Sequence, residues 1–432
     1  MLSLSAIAAI LIFAAAYVLI AAEKWVTRTA AALGGAALML AIGVTDAHAA
    51  FYAEETGVDW NVVFLLLGMM VIVSVMRETG VFEYLAIWAA KRARGRPFPL
   101  MVLLVLITAG TSALLDNVTT VLLVAPVTIL ICQRIGLSAV PYLIAEVAAS
   151  NIGGTATLVG DPPNIIIASR AGLSFNDFLV HLAPVVLVML IVFIGLCRWL
   201  FADAFHADPE KVAELMSLNE REAIRDRRLL VQSLAVLGVV LVAFVLHPVL
   251  HYAPSVVALL GAGLLVAVTR VRTEQALQDV EWSTLAFFMG LFVMVGGLVN
   301  TGVLAGLSKL MGGFAGDNPL GFTGLLLWGS GLLSGVVDNI PYVASMAPVV
   351  ASLVGPDGQP QVLWWALALG ADLGGNATLI GASANVVVAG IAARNGVPIG
   401  FWRFARYGLV ITAVTLAIAT VYVWLRYFVL AG

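Results

Sequence analysis

The sequence predicts an all-α polytopic membrane protein made of two inverted structural repeats, each with five spans, a re-entrant hairpin and a discontinuous helix. Three observations support this fold class. Hydrophobic residues make up 62% of the chain and charged residues 11%, and the mean hydropathy of +1.04 excludes a soluble globular protein. Apolar runs of about 20 residues, the length that crosses a bilayer, recur along the chain. Landmarks of the first half return in the same order in the second half.

The apolar runs of the first half include two that are interrupted. The run at about 98–133 is broken at Asp116-Asn117, which predicts a hairpin with these residues at its tip. The run at about 140–170 contains Gly153-Gly154 and Gly160-Asp161-Pro162-Pro163, so a continuous helix is not expected there. The remaining segments are predicted to be spans at 4–21, 25–45, 60–76 and 178–202, and an amphipathic interfacial helix at 77–97.

A segment with charges of both signs, residues 203–228, is predicted to be a cytoplasmic linker. It divides the chain into an N-terminal repeat, 1–202, and a C-terminal repeat, 229–432. The second repeat is predicted to contain a hairpin at about 319–354 and a discontinuous helix at about 361–393. Its remaining spans are expected at 229–247, 254–270, 282–299 and 405–428.

The two halves match at a nearly constant offset. Trp60 matches Trp282 and Asp116 matches Asp338, in both cases 222 residues later, and the glycine-rich segments match at 221. A register that holds within one residue over this distance indicates duplication. An odd number of crossings in each half makes the repeats inverted, and the distribution of Lys and Arg agrees with a cytoplasmic location for residues 77–97 and the linker.

An acid and an amide stand at both predicted hairpin tips, Asp116-Asn117 and Asp338-Asn339. A carboxylate within an apolar segment is costly unless it faces a cavity or a partner, so both acids are candidate functional residues. Carboxylate and amide oxygens suit a hard cation. We therefore predict Na+ and/or H+ binding at the tip residues, with Thr119 beside the first tip. The alternative is that each carboxylate caps the helix that follows it, and the two roles are compatible.

Hydroxyl and amide side chains flank the glycine pairs at both helix interruptions. Paired interruptions in the two halves of a transporter mark a binding site near the middle of the membrane, where free backbone groups can hold ions. The alternative is that these side chains only form hydrogen bonds between helices. The candidate ligands are Thr155, Thr157, Asn164, Asn376, Thr378 and Asn385.

Three further acids within apolar segments are candidates for proton coupling: Glu146, Asp161 and Asp372. Asp161 aligns with Ala382 in the second half, whereas Asp372 aligns with Asn151 in the first half. Acids that lack a counterpart break the symmetry of the repeats, as a proton-coupled cycle requires. A structural role for each acid is the alternative.

No pattern in the chain supports enzymatic chemistry. A Walker loop, a zinc-spaced His/Glu set and a nucleophile elbow are all missing from the sequence, so neither catalysis nor ATP-driven pumping is expected. The chain is not basic enough for a nucleic-acid partner, and Cys132 and Cys197 lie in apolar runs that do not suggest a disulfide. The expected partners are the lipid bilayer and a small inorganic ion or small anion. No cofactor is expected beyond Na+ and/or H+ as coupling ions.

The motifs resemble those of the ion transporter superfamily that includes the arsenite transporter ArsB, the sodium/proton antiporter NhaD and citrate-transporter-like symporters of divalent anions. Within it, the chain is most similar to the melanosomal P protein and its bacterial relatives. The likeness extends from about Trp60 to the C-terminus. It is carried by residues 78–82 (ETGVF), 115–120 (LDNVTT), 145–147 (AEV), 151–157 (NIGGTAT), 160–164 (GDPPN), 338–341 (DNIP) and 373–387 (LGGNATLIGASANVV).

This resemblance implies two inverted repeats, a homodimer in the inner (plasma) membrane and an elevator-like movement of substrate. In the symporters of the family, Ser-Asn-Thr motifs at the tips bind sodium and the anion, but here an acid replaces the serine at Asp116 and Asp338. The acidic tips favour a Na+/H+-coupled secondary transporter, with cation/proton antiport placed first. The alternatives are transport of an anion or oxyanion of the arsenite type, transport of a carboxylate, and a passive anion channel.

Overall fold

The computed structural model describes residues 3–22, 26–205, 220–269, 271–354 and 361–430. Within these ranges every regular element is a helix, and eight helices are long and apolar enough to cross a membrane. The prediction of an all-α polytopic membrane protein is therefore confirmed. The eight helices are Trp60–Arg77, Pro97–Leu114, Asn117–Ile135, Ala183–Leu200, Arg227–Val245, Trp282–Asn300, Pro319–Val336 and Phe401–Val429.

The first half of the chain contains long helices separated by short turns. A short 3-10 turn, Ala202–Ala204, follows its last helix. The α-helices are α1 (Leu4–Ala22), α2 (Arg28–Ala41), α3 (Ala47–Phe51), α4 (Trp60–Arg77), α5 (Val81–Arg92), α6 (Pro97–Leu114), α7 (Asn117–Ile135), α8 (Ala139–Gly154), α9 (Pro162–Ala171), α10 (Phe175–His181) and α11 (Ala183–Leu200).

The second half follows a similar order, and its last helix continues into a π-helical turn, Leu425–Val429. Its α-helices are α12 (Arg227–Val245), α13 (His247–Leu250), α14 (Pro254–Thr269), α15 (Thr273–Gln278), α16 (Trp282–Asn300), α17 (Val303–Asp317), α18 (Pro319–Val336), α19 (Asn339–Val354), α20 (Val362–Gly374), α21 (Ser383–Arg394) and α22 (Phe401–Trp424).

Polar caps begin several of the long helices. The first N–H groups of a helix have no partner within it, and water cannot satisfy them inside a bilayer. Thr27 accepts a hydrogen bond from the Ala30 amide at 3.3 Å at the start of α2. Asp59 accepts from the Asn61 amide at 3.1 Å at the start of α4. These side chains explain why an otherwise apolar run begins its helix at these points.

The helices of the two halves pack in equivalent pairs. Helix α6 packs on α8, and α18 packs on α20 in the same way. Helix α4 packs on α14, and its counterpart α16 packs on α2. The helix after each hairpin tip packs against the other half, α7 on α21 and α19 on α9. The halves are therefore interlocked at the centre, while their opposite orientation in the membrane stays a prediction.

Glycines allow the helix that precedes each interruption to lie directly on its hairpin. A Cβ placed at Gly153 of α8 would lie 2.3 Å from the carbonyl oxygen of Ala109 in α6. A Cβ at Gly374 of α20 would lie 2.4 Å from the carbonyl oxygen of Gly331 in α18. Both approaches are too close for any side chain, so these glycines set the distance between hairpin and interrupted helix.

The predicted linker is described only at its ends, because its residues 206–219 lie outside the described residues. Where the description resumes, the Arg225 amide donates to the Thr79 carbonyl at 2.9 Å. Lys91 forms a salt bridge of 2.7 Å with Glu220. Gly80, with a φ of 78°, lies against the Ala223 carbonyl, where a Cβ would be 1.9 Å from the oxygen. The end of the linker is thus attached to the corner between α4 and α5.

Candidate functional site

The predicted site residues converge where four helices end or begin inside the protein. Helices α7 and α19 start immediately after the tip acids Asp116 and Asp338. The chain leaves the helix between Gly154 and Pro162, and again between Gly374 and Ser383. The tips and interruptions thus supply backbone ends and polar side chains to one buried region.

At the first tip, Asp116 caps α7. Its Oδ1 accepts a hydrogen bond from the Thr119 amide at 2.7 Å, and the residue is 7% exposed. The next residue, Asn117, donates from Nδ2 to Oδ1 of Asn151 at 3.2 Å. The Ser150 hydroxyl donates to the Asn117 carbonyl at 3.0 Å. The first tip is therefore fastened to α8 through amide and hydroxyl groups.

Asn151 is the centre of a buried amide network that joins the two halves. Its Nδ2 donates to Oδ1 of Asn376 at 2.9 Å and to Oδ1 of Asn385 at 3.1 Å. Because Asn151 also accepts from Asn117, the first tip, the first interruption and the second interruption are connected through one side chain. Sequence reasoning did not select Asn151 as a site residue. Asn151 aligns with Asp372 in the second half, and this equivalence to a candidate acid could have identified it as a site residue.

The predicted threonines and asparagines of the interruptions form matched backbone contacts. Thr157 donates to the Ala113 carbonyl at 2.6 Å, and Thr378 donates to the Gly335 carbonyl at 2.6 Å. Other side chains form hydrogen bonds to backbone carbonyls within the same interrupted helix. Asn164 donates to the Thr157 carbonyl at 3.0 Å, and its counterpart Asn385 donates to the Thr378 carbonyl at 2.8 Å. Thr155 donates to the Asn151 carbonyl at 2.8 Å. In this conformation these groups hold the interrupted helices in shape, and their role as ligands stays a prediction.

Two of the three acids that are candidates for proton coupling, Asp161 and Asp372, lie close together in this region. Asp161 is fully buried, and both of its carboxylate oxygens lie 3.4 Å from Nδ2 of Asn339 in the second tip. Asp372 is also fully buried and lies beside Thr155 and Asn164 without reaching hydrogen-bond geometry. The two carboxyl groups are close enough to interact electrostatically.

Glu146 lies apart from these acids. It is 2% exposed between α7 and α8, where the Thr128 hydroxyl donates to its Oε1 at 2.5 Å. Cys132 is its neighbour. The contacts that Glu146 forms are thus with the hairpin helix and not with the acids at the interruptions.

Several buried oxygens of the site have no hydrogen-bond partner among the described residues. They are both carboxylate oxygens of Asp372, Oδ1 of Asn164 and Oδ1 of Asn117. Buried polar atoms in proteins are nearly always satisfied, and unpaired ones call for water or an ion. Carboxylate and amide oxygens are also the groups that hold a hard cation. The open oxygens are compatible with the predicted binding of Na+ or H+, which stays a prediction.

The second tip differs from the first because Asp338 has a cationic partner. Its Oδ1 accepts from the Ile340 amide at 3.0 Å, and its Oδ2 accepts from the Ser383 hydroxyl at 2.5 Å. The Arg28 guanidinium lies 3.6 Å from Oδ2 and also donates to Ser383. Sequence reasoning did not select Arg28 as a site residue, because a single basic residue at the start of an apolar run is common at a membrane surface.

A cavity of about 180 Å³ opens beside this group of residues. Three polar side chains meet in its wall, and the remaining lining is mostly branched aliphatic. Its lining residues are Ile20, Arg28, Phe287, Val336, Val337, Asp338, Ile380, Ser383, Val386 and Val387.

Comparison with known proteins agrees with this architecture. The family model of the citrate transporters, CitMHS, matches residues 17–370. An uncharacterized transporter of Mycobacterium tuberculosis is 58% identical over 426 residues, which cover 98% of this chain and 99% of that protein. The P protein of Mus musculus is 33% identical over 504 residues, which cover 98% of this chain and 60% of the P protein.

Two solved transporter structures share the fold. The YdaH transporter of Alcanivorax borkumensis superposes with a TM-score of 0.60 at 14% identity, covering 84% of this chain and 85% of that one. MtrF of Neisseria gonorrhoeae, described as illuminating a class of antimetabolite efflux pumps, superposes with a TM-score of 0.61 at 12% identity, covering 99% and 96%.

The family match extends over most of the chain, and the similar proteins are transporters and not enzymes. The resemblance to the ion transporter superfamily and to the P protein is confirmed. The chain is a multi-pass membrane transporter, and it belongs to the CitMHS citrate transporter family.

Proposed function

We propose that the protein is a secondary active transporter that couples the movement of a small solute to H+ or Na+ at Asp161 and Asp372. The observation that carries this proposal is the pair of fully buried carboxyl groups at the two helix interruptions. Among the described residues neither of them forms a salt bridge with Lys or Arg.

A buried carboxylate without a cationic partner carries a large desolvation cost, which a proton or a bound cation removes. Asn339 supplies only a neutral amide to Asp161. The open oxygens of Asn117 and Asn164 complete a set of hard ligands near Asp372 and the first tip. A proton and a sodium ion would compete for such a site, which favours cation/proton antiport as its chemistry.

Transport of a small carboxylate is the second candidate. The family model that matches the chain is described as a citrate transporter. The cavity beside Arg28 and Ser383 adds a guanidinium and a hydroxyl that would suit a carboxylate. In this version H+ or Na+ bound at the acids drives carboxylate uptake.

The oligomeric state, the membrane location and the transport movement that we propose are those implied by the family resemblance. We propose that the chain acts as a homodimer in the plasma membrane with its linker on the cytoplasmic side. We further propose that the interrupted helices move with the bound solute in an elevator-like step. Because Asn339 and Asp161 are in contact, the second tip would move together with the first interruption unless this contact opened.

Purified protein in proteoliposomes that contain a pH-sensitive dye tests this function. We expect an imposed Na+ gradient to move protons, or an imposed proton gradient to drive uptake of radioactive citrate. Asp161→Asn and Asp372→Asn should each abolish the coupled flux. Asp279→Asn is the matched control, because Asp279 pairs with Arg77 outside the site at 3.0 Å.

A wild-type protein that moves solutes only down their gradient, with no response to Na+ or pH, would contradict the proposal. It would favour the passive channel instead.

A further inference from the structure

A cationic side chain, the guanidinium of Arg28, lies beside the acid of the second hairpin tip, Asp338. The guanidinium of Arg28, at the start of α2, lies 3.6 Å from Oδ2 of Asp338 and donates to the Ser383 hydroxyl, which itself donates to the same oxygen at 2.5 Å. With the Ile340 amide on Oδ1 at 3.0 Å, Asp338 is neutralised and hydrogen-bonded on both oxygens. A diffusible cation that binds Oδ2 of Asp338 would therefore compete with the guanidinium for this oxygen.

The equivalent acid of the first half has no such partner. Asp116 stands at the same position of its hairpin and also caps the following helix, through the Thr119 amide at 2.7 Å. Among the described residues Asp116 forms no salt bridge. The guanidinium is therefore a feature of one tip only, and capping the helix does not require it.

We propose that Arg28 is a tethered competitor for a monovalent cation at Asp338. In the conformation described here its guanidinium occupies the place of that cation. Binding of Na+ at Asp338 and Ser383 then requires the Arg28 side chain to withdraw. The competition rests on the proposed cation coupling, and it assigns a site for the cation at the second tip that is separate from Asp161 and Asp372.

The geometry makes withdrawal of Arg28 inexpensive. The distance of 3.6 Å to Asp338 is longer than that of a strong charge-assisted hydrogen bond, and the Arg28 side chain is 22% exposed. The cavity of about 180 Å³ borders both residues and leaves room for the side chain to move. A long, partly exposed ion pair is weaker than a short bidentate one, so a diffusible ion can compete with it.

A second carboxylate near Arg28, that of Glu281, can pair with the guanidinium when it leaves Asp338. Nη2 of Arg28 already lies 3.4 Å from the Thr284 hydroxyl, which donates to Glu281 at 2.8 Å. Glu281 interacts electrostatically with Arg28, and the Phe287 ring lies 5.5 Å below the guanidinium. Arg28 can thus turn from Asp338 toward Glu281 without leaving its charge unpaired.

Sodium binding to the purified full-length protein tests the competition, measured with radioactive sodium against a choline chloride background. Arg28→Gln should lower the Na+ concentration for half-saturation about three- to fivefold, the upper end of the range for an ion pair that is open to solvent. Arg77→Gln, which removes the same charge from a pair with Asp279, should leave it unchanged. Adding Arg28→Gln to Asp338→Asn should have no further effect on Na+ binding, because the competitor then has no target.

Guanidinium chloride at low millimolar concentration gives a second measurement. Free guanidinium should compete with Na+ far more strongly in Arg28→Gln than in the wild type. In the variant, the Arg28 guanidinium no longer occupies the position beside Asp338. If Arg28→Gln does not fold, Arg28→Lys serves instead. It keeps the charge without the planar fork, and we expect it to be a weaker competitor with a half-saturation below that of the wild type.

An unchanged or higher half-saturation in a folded Arg28 variant would overturn this inference. Coupled transport could then still operate at Asp161 and Asp372. A wild type without any response to Na+ or H+ would instead remove the proposed function and the competition together.

Discussion

Nδ2 of Asn339 lies 3.4 Å from both carboxylate oxygens of Asp161, so the second hairpin tip is joined to the first helix interruption. Both residues are buried. Any movement that separates the tip from the interruption must leave this carboxylate without its amide partner. Protonation of Asp161, or a cation bound to it, would lower the cost of that separation. In the transport cycle that we propose, this contact would link ion binding at Asp161 to the position of the second tip.

The two central acids come from different positions of the repeat. Asp161 has Ala382 as its counterpart, and Asp372 has Asn151. Each half therefore contributes one acid, and the fold brings the two within electrostatic range of each other. The repeat supplies the symmetric frame of tips and interruptions, whereas the coupling chemistry that we propose depends on the positions where the symmetry is broken.

Asn151→Ala should destabilise the protein strongly. The change removes the partner of three buried atoms, Nδ2 of Asn117 and the Oδ1 atoms of Asn376 and Asn385. We expect a loss of about 2–4 kcal/mol in the free energy of unfolding, measured as a lower midpoint of thermal unfolding in detergent. Asn176→Ala is the control, because Asn176 is only partly buried and donates one hydrogen bond, to the Val245 carbonyl. Equal midpoints for the two variants would show that the network contributes nothing.

Gly153→Ala and Gly374→Ala should have similar and large effects. Their Cβ atoms would lie 2.3 Å and 2.4 Å from backbone carbonyl oxygens of the hairpins, so each hairpin has to move. We expect each change to cost about 2 kcal/mol and to impair transport. In contrast, Gly195→Ala in α11 meets no atom within 4 Å and should not destabilise the protein. Tolerance of alanine at position 153 would contradict the close packing of α8 on α6.

Thr157→Val and Thr378→Val test whether these residues are structural or ligating. Both hydroxyls donate to a hairpin carbonyl at 2.6 Å. If that bond is their whole role, each change should cost about 1 kcal/mol of stability and leave the ion dependence of transport unaltered. Stability and half-saturation for Na+ should be measured on both variants. A shift in half-saturation for one variant alone would identify that threonine as a ligand.

The inverted orientation of the repeats can be tested with single cysteines. Glu78 and Asn300 occupy equivalent positions at the C-terminal ends of α4 and α16, separated by the repeat offset of 222 residues. Glu78→Cys and Asn300→Cys should react with an impermeant maleimide from opposite sides of the membrane. The native cysteines, Cys132 and Cys197, are both buried and should contribute little background. Labelling of both variants from the same side would exclude inversion.

Much of the site could be predicted from local patterns. Glycine and proline in an apolar run mark the interruptions, and an acid within such a run marks a tip, because each is costly in a continuous membrane helix. The contacts of these residues could not be predicted in the same way. Asn339 and Asp161 are 178 residues apart, and a single sequence contains no signal for a contact over that separation. The partners of Arg28, Asp338 and Ser383, also belong to the other half, and by itself a basic residue at the start of an apolar run indicates only a membrane surface.

Proton release on sodium binding tests the central claim most directly. Sodium chloride is added to the purified protein in weakly buffered detergent, and the pH change is compared with that caused by choline chloride. The account predicts that Na+ displaces protons from the wild type. It also predicts that this release is lost when Asp161→Asn and Asp372→Asn are combined and is retained in Asp279→Asn. Undiminished proton release from the combined variant, or none from a wild type that binds Na+, would contradict the assignment of the coupling site to these two acids.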